Sequence, residues 1–484
     1  MASSAKSIRP ESASTQLLAR FEAAATTILP PNGAVCVGLS GGLDSVVLLD
    51  LFCRVRERFG WQVQALHVHH GLSPNADGWA AFCRRLASRR GIALRVVRVD
   101  LEGLGHMGLE AAAREMRYRE YVRCGAAHVA LAHHADDQAE TVLLQLLRGS
   151  GVAGLAAMPM VRRLGDASNP QQMLVRPLLD CRREMIAAYA RARRLGWVED
   201  ESNQDGARTR NALRHDILPR LAAIQPGVVE NLNRSARHLG AALEVLGEAA
   251  GRDLAAVAST KDVQVARVAK VASDPAALRL RCAALRDLGE VRAMLVLKAW
   301  LQRQGLRAPS SARLRETWLQ VSGARPDAQV RIDLEGAVLR RYRGELFLDR
   351  YKGPCGPGAL CATSLPWDGA ADWHLADLGG TLRLVPATGV GLAAHWLQPA
   401  ARLSLVARPA GPLRLVGAAH HRSLKRLFQD AGVPAWVRVR LPFLAIDGVL
   451  AWVAGLGVAA QFAPAAGEAA LLPHWLPDLP PAPG

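Results

Sequence analysis

The amino-acid sequence predicts an α/β fold, a doubly wound parallel sheet, followed by a mainly helical middle domain and a small α+β C-terminal domain. Three observations carry this reading. Strand-length apolar runs alternate with helix-period segments from Ala34 to about Leu147. Polar clusters follow the first, second and fourth of those runs. After Leu221 the alternation gives way to long Ala- and Leu-rich stretches.

The first strand reads AVCVGL, Ala34 to Leu39, and enters the glycine-rich SGGLDS, Ser40 to Ser45. An apolar run closed by glycines is a strand leading into a loop. The next segment carries Val46, Leu49, Phe52 and Val55 at helical spacing. A strand over 63–68, a helix over 76–90, a strand over 94–99 and a helix over 109–124 follow; a strand over 128–132 and a helix over 136–147 complete the alternation. Helices of this length between strands imply right-handed crossovers and parallel pairing, with ligands at the carboxyl ends of the strands. SGGLDS, His69 to Leu72 and HHADDQ all fall at those ends. Further on, 228–257 reads as helix, more helix runs to about Leu319, and a strand pair is expected between Val330 and Asp349.

The resulting division is an N-terminal extension and helix over 1–29, an α/β domain over 30–222, and a mainly helical domain over 223–352. A linker over 353–378, a C-terminal domain over 379–470 and a loose Pro-rich tail over 471–484 complete it.

The chain is strongly basic, with 60 Lys and Arg against 43 Asp and Glu and a net charge of +17. Such an excess favours a polyanionic partner, although an Arg-rich proteome would produce it too. The eight cysteines form no CxxC pair or regular framework, which fits free thiols in a reducing compartment. The polar, Ser-rich start lacks an apolar signal core, and no uncharged run reaches the roughly 18 to 20 residues of a membrane span. A cytoplasmic protein is therefore expected, and its oligomeric state is not legible.

SGGLDS lies between strand and helix, where backbone N–H groups and the positive helix end favour a phosphate. Gly41 and Gly42 allow close approach, Ser40 and Ser45 add hydroxyls, and Asp44 is a carboxylate suited to a Mg²⁺ ion bridging phosphate oxygens. The loop lacks the Lys of GxxxxGK[ST], so it is not a Walker A site. His67, His69 and His70 beside Cys83 fit no standard zinc spacing.

The loop resembles the PP-loop of the ATP pyrophosphatases, enzymes that cleave ATP between the α- and β-phosphates and adenylate an oxygen of their substrate. Within that class the longer motifs resemble the tRNA(Ile)-lysidine synthetase family: HVHHGLSPNAD at 67–77, LEAAAREMRYREY at 109–121, AHHADDQAETVLLQLLRGSGVAGLAAM at 132–158, RPLL at 176–179, and WVEDESNQDGARTRNALRHDILP at 197–219. The segment 420–458 is similar to the C-terminal domain of that family's longer members. One departure is Arg208, where related sequences commonly carry an aromatic residue.

The resemblance implies ATP as cofactor with Mg²⁺, and tRNA(Ile) bearing a CAU anticodon and free L-lysine as substrates. The wobble cytidine would be adenylated through its carbon 2 oxygen and lysine would then displace AMP. The resulting lysidine changes codon reading from AUG to AUA. A tRNA thiolase of the same class and an inactive RNA-binding homologue are the alternatives.

Carried onto this sequence, Ser40, Gly41, Gly42, Leu43, Asp44 and Ser45 would bind ATP, with Asp44 also the metal ligand. Asp44, Asp137, His133 and Arg117 are the catalytic candidates, with Asp136 read as a helix cap and His133 as a phosphate contact or proton shuttle. Arg114 and Arg117 lie three apart on one helix, a spacing at which both can reach one anion. Arg114, Arg148, Asn203, Arg210 and Asn211 are expected to bind substrate. Lys425, Arg426 and Arg438, set among Phe428 and Trp436, are expected on a tRNA-docking surface.

Overall fold

The structure is a computed structural model that describes residues 10–100, 109–164, 171–199, 209–259, 278–325, 328–350, 363–365, 372–397, 402–406 and 411–478. The chain divides into two compact units that meet in sequence at Leu246 and Gly247.

The first unit contains helix α1 (Pro10–Ile28), then β1 (Ala34–Gly38), α2 (Leu43–Phe59), β2 (Gln62–His69), α3 (Ala76–Arg89), β3 (Ala93–Arg98), α4 (Leu109–Val122), β4 (His128–Ala130) and α5 (Ala135–Leu147). Two short strands, β5 (Val161–Arg163) and β6 (Met173–Val175), helix α6 (Arg183–Ala192) and a helical run over 209–224 follow, and the long helix α7 (Val228–Val257) continues in sequence past Leu246 into the second unit. The sheet order is β3-β2-β1-β4-β6-β5. All neighbours are parallel except β5, which runs antiparallel along the edge. The chain winds outward from β1 through β2 to β3, then returns to the other side of β1 with β4. That reversal opens a crevice at the carboxyl ends of β1 and β4, where SGGLDS and HHADDQ emerge.

The β1 side chains are apolar because helices cover both faces of a parallel sheet. Val35, Val37, Val47, Leu51 and Phe52 pack with Leu17, Phe21 and Ala25 of α1 and with Ile186 and Tyr189 of α6. The N-terminal helix is thus part of this core. One charge is buried there: Asp50 is 1% exposed, accepts from the Tyr189 hydroxyl at 2.7 Å and pairs with Arg90.

In the second unit, β7 (Leu280–Arg281), α8 (Cys282–Asp287), α9 (Gly289–Arg303) and α10 (Ser311–Gly323) precede β8 (Arg331–Leu334), β9 (Ala337–Tyr342) and β10 (Glu345–Asp349). The strands form an antiparallel sheet, β7-β10-β9-β8, against which Trp300, Leu297 and Trp318 pack. A two-stranded pair joins Pro412–Leu413 to Arg422–Ser423, and two larger sheets complete the unit. One joins Thr363–Leu365, Leu403–Leu405, Phe443–Ile446, Val449–Val453 and Gly457–Val458; the other orders Asp372–Leu375, Gly380–Thr388, Ala469–Pro477 and Leu392–Ala393. Among the described residues no helix is long and apolar enough to cross a membrane.

Two expectations change. The stretch read as linker, 353–378, contributes Thr363–Leu365 and Asp372–Leu375 as paired strands. The tail read as loose from 471 is largely strand, because Ala469–Pro477 pairs with Gly380–Thr388 over nine positions. Its residue Trp475 is buried in the hydrophobic core of the second unit, and Ala470 is buried as well. Proline is tolerated in a strand with a free edge, and beyond Leu471 this strand has a partner on one side only.

Candidate active site

The phosphate loop is held in shape by its own serines. Gly41 N donates to Ser45 Oγ at 3.2 Å, Gly42 N to Ser40 Oγ at 3.3 Å, and the two hydroxyl oxygens stand 3.0 Å apart. Gly41 adopts φ +92°, and a Cβ there would meet Val198 at 2.9 Å, so glycine is required both by conformation and by space. Gly42 has an ordinary φ of −70° and caps α2 with no side-chain acceptor. The first-turn N–H groups of α2 therefore face the loop, as an anion site needs. Leu43 opens the helix and Asp44 lies in its first turn.

Asp44 Oδ1 is buried and, among the described residues, has no hydrogen-bond partner. Burial raises its pKa, with Asp137 adding to the shift and His134 opposing it. The nearest cation-capable group is His134, whose Nε2 lies 3.8 Å from Asp44 Oδ2. An inward-facing carboxylate oxygen beside a phosphate loop is the donor chemistry a Mg²⁺ ion takes, and one carboxylate plus substrate phosphates is its usual set.

Helix α5 starts with a capping box. Asp137 N donates to His134 Nδ1 at 3.4 Å and His134 N to Asp137 Oδ2 at 3.1 Å. The cap is His134, not Asp136 as the sequence suggested. Asp136 instead accepts from Arg183 N at 2.7 Å and pairs with Arg182, so it holds the start of α6. Asp137 is only 8% exposed. Its Oδ1 accepts from Arg210 at 3.1 Å and Arg214 at 3.0 Å. Both arginines also donate to Glu140, at 2.7 and 2.6 Å, and that carboxylate is 1% exposed. A π turn over Leu213–Ile217 lies where Arg214 joins Arg210 on the two carboxylates, and such turns concentrate at functional sites. Burial alone would raise the Asp137 pKa, but His134, Arg210, His133 and Arg214 bring it below the usual carboxylate value.

His133, between the end of β4 and the start of α5, accepts from Arg176 Nε at 3.2 Å through Nδ1. Burial, with the charges of Arg176, Arg210 and Arg114, lowers its pKa to about 3 against the pull of Asp137. It is a neutral ring at neutral pH. With Nδ1 accepting, the proton of that ring is on Nε2, which makes it a donor rather than a shuttle working near pH 7.

Arg114 and Arg117 do not converge on one point. Arg117 donates to His70 Nε2 at 3.3 Å, and Arg114 turns to the Tyr118 hydroxyl, also at 3.3 Å. Arg148 is the exposed residue that ends α5, and Asn211 is buried. Asn203 and Arg208 lie outside the described residues. His67 Nδ1 donates to Leu39 O at 2.8 Å and lies 3.6 Å from Cys83 Sγ, a packing role at the sheet end.

In the second unit Lys425 and Arg426 are exposed, Arg426 pairing with Asp430 at 3.2 Å. Arg438 is engaged internally: Nε donates to Val433 O at 2.8 Å, and the guanidinium lies 5.6 Å from the Phe428 ring. Trp436 is not free for base stacking, since it packs edge-on against Tyr342 and Phe347 with Arg340 over its ring. Arg440 pairs with Asp349 of β10, both nearly buried.

Comparison with known proteins supplies the remaining fact. A PP-loop domain model matches residues 13–221, a TilS substrate binding domain model residues 280–347, and a TilS substrate C-terminal domain model residues 403–475. The tRNA(Ile)-lysidine synthase of Azoarcus sp. (strain BH72) is 42% identical over 449 residues, covering 92% of each chain. The chain belongs to the tRNA(Ile)-lysidine synthase family. The enzyme of that name from Ralstonia nicotianae is also 42% identical, over 87% of this chain and 88% of its own. Among solved structures, the U34-tRNA thiolase NcsA of Methanococcus maripaludis matches 47% of this chain and 80% of its own, at 18% identity and a TM-score of 0.40. As a lysidine synthase family member with a PP-loop domain, this chain is an ATP-using enzyme with a tRNA substrate.

Proposed function

We propose that this enzyme converts the wobble cytidine of a CAU anticodon in tRNA(Ile) to lysidine, using ATP and free lysine. The observation that carries the reading is the buried, unpartnered Asp44 Oδ1 at the mouth of a loop shaped for phosphates, with the Asp137 and Glu140 carboxylates across His134 from it. One wall suits a polyphosphate and the other a cationic amine.

In the first step the cytidine O2 attacks the ATP α-phosphorus and pyrophosphate leaves. The first-turn backbone N–H groups of α2, at Leu43, Asp44 and Ser45, are suited to hold the leaving group, while Ser40 and Ser45 keep the loop in shape by accepting from Gly42 and Gly41. Asp44 would hold Mg²⁺, which supplies positive charge to the departing pyrophosphate. His133 Nε2–H is suited to donate to a phosphate oxygen. In the second step the lysine amine attacks carbon 2 and AMP leaves with the former O2. Asp137, kept ionised by Arg210 and Arg214, attracts the lysine ammonium to the site. The base must leave its stack to reach this crevice.

The test is mass spectrometry of nucleosides after incubating tRNA(Ile) transcript with enzyme, ATP and lysine. A lysine-dependent lysidine peak with stoichiometric pyrophosphate is expected. A sulfur-containing nucleoside, or binding without modification, would overturn the reading.

A further inference from the structure

The ring of Tyr118 on α4 gathers positive charge that the chemistry above leaves unused. The Arg114 guanidinium carbon lies 5.1 Å from the ring centroid and that of Arg162, on β5, also 5.1 Å. Arg176, at the end of β6, is 2% exposed and donates to Pro159 O at 2.6 Å as well as to His133. Elsewhere in this unit Arg90, Arg182, Arg210 and Arg214 each pair with a carboxylate. Among the described residues, Arg114, Arg162 and Arg176 form no such pair; their partners are a ring, a hydroxyl, a carbonyl and a neutral imidazole.

Three guanidiniums gathered around one ring, one of them out of water, repel one another, and an arriving anion relieves that cost. Strand order indicates which anion. The phosphate loop follows β1, whereas Arg176 and Arg162 belong to β6 and β5, two and three places along the sheet. At about 4.8 Å per strand these lie roughly 10 and 14 Å from β1. A nucleotide gripped at SGGLDS keeps its pyrophosphate at the loop, so the anion for the far end is a second one.

We propose that Arg162 and Arg176, with Arg114, form a seat for a backbone phosphodiester of the polynucleotide substrate next to the reacting base. Tyr118 serves as a flat plate that holds Arg114 and Arg162 in orientation through stacking, which is why arginine rather than lysine suits these positions. The seat fixes the register of the strand so that one base faces the ATP α-phosphate. This inference rests on the reading of the substrate as tRNA.

The test uses the full-length enzyme and unmodified tRNA(Ile) transcript. Arg162 is exposed, so Arg162→Gln and Arg162→Glu alter the seat without opening the core. Losing one charge-assisted phosphate contact should weaken tRNA binding by about tenfold, and by more for Glu. The slope of log affinity against log salt should fall by about 0.7 to 0.9 for the Gln variant. ATP affinity measured without tRNA should stay unchanged, and Arg162→Lys should recover part of the tRNA affinity. An unchanged tRNA affinity and slope would overturn the seat; so would a loss of ATP affinity at constant tRNA affinity, which would assign these arginines to the nucleotide. Wild-type lysidine formation is scored separately. Absent lysidine with Arg162-dependent tRNA binding refutes the proposed reaction and leaves the seat standing, whereas normal lysidine formation and tRNA binding by Arg162→Glu refutes the seat alone.

Discussion

Asp137→Asn separates bracing from chemistry, because one carboxylate joins the α5 cap to two arginines. Asn keeps the shape and an acceptor for His134 N, so the capping bond at 3.1 Å survives in part. The charge opposite Arg210 and Arg214 is lost. Breaking a buried pair costs about 3 to 5 kcal/mol. Here the arginine side chains are 39% and 23% exposed and retain Glu140, so screening reduces the figure to about 2 to 3 kcal/mol. At about 2 to 4 °C per kcal/mol for a unit of this size, the melting temperature should fall by about 4 to 12 °C. The sign of the pH dependence follows from the lowered folded pKa. The stabilisation is present above the unfolded value of about 3.9 and is lost as the pH falls through the folded value, so the gap between wild type and variant should close in acid. Thermal scans near neutral pH and in acid give the gap, and single-turnover pyrophosphate release and lysidine formation at 25 °C, with both proteins folded, give the activity. A rate loss of about a hundredfold or more is expected. Activity that merely follows the folded fraction would reduce Asp137 to a brace, and an unshifted melting temperature would refute the energetics.

Asp44→Asn should abolish pyrophosphate release while leaving tRNA affinity intact. Because burial raises the Asp44 pKa, the ionised group destabilises the fold, so this variant should melt no lower than wild type; a lower melting temperature would show that the carboxylate is a structural brace. Tyr189→Phe removes the hydroxyl that donates to buried Asp50, far from the crevice, and should cost about 1 to 3 kcal/mol by denaturant titration with unchanged turnover. Lys425→Gln with Arg426→Gln should weaken tRNA binding and flatten its salt dependence at constant stability. Arg438→Gln should instead lower thermal stability by about 1 to 2 kcal/mol through its lost bond to Val433 O, a difference that calorimetry and filter binding would resolve.

The first domain was legible because a parallel sheet leaves a strong record: buried strands are apolar throughout, and polar clusters mark their carboxyl ends. Strands β5 and β6 were not read, since three residues are too few to show a period. The shape of the glycine-rich loop was legible at Gly41, whose positive φ and close neighbour Val198 both call for glycine. His134, Glu140, Arg176 and Arg214 were missed for a shared reason. Each acts through partners distant in sequence, such as Glu140 with Arg210 and Arg214 or Arg176 with His133, and no local spacing encodes such a meeting. One signal was present in the sequence: Asp137 and Glu140 lie three apart on a helix, as Arg210 and Arg214 lie four apart, the spacings at which side chains share a face. The basic C-terminal segment misled in part, because Trp436 and Arg438 look like a nucleic-acid surface in sequence but are consumed by packing and hydrogen bonding inside their own unit.

The ladder between Gly380–Thr388 and Ala469–Pro477 joins residues 81 to 97 positions apart. Bringing such ends together carries a loop-closure cost of roughly 4 kcal/mol before any bond is gained. Everything between them, including strands of the other sheet, is therefore enclosed by a single long clasp, and the two sheets should form and melt as one event rather than in sequence. A chain interrupted between Thr388 and Ala469 would leave Gly380–Thr388 with one bare flank, an open template for pairing with other copies. Synthesis and quality control of this protein thus hinge on a strand whose composition looks expendable, and nonsense or frameshift lesions between the two strands should surface as insolubility instead of as a trimmed, active enzyme.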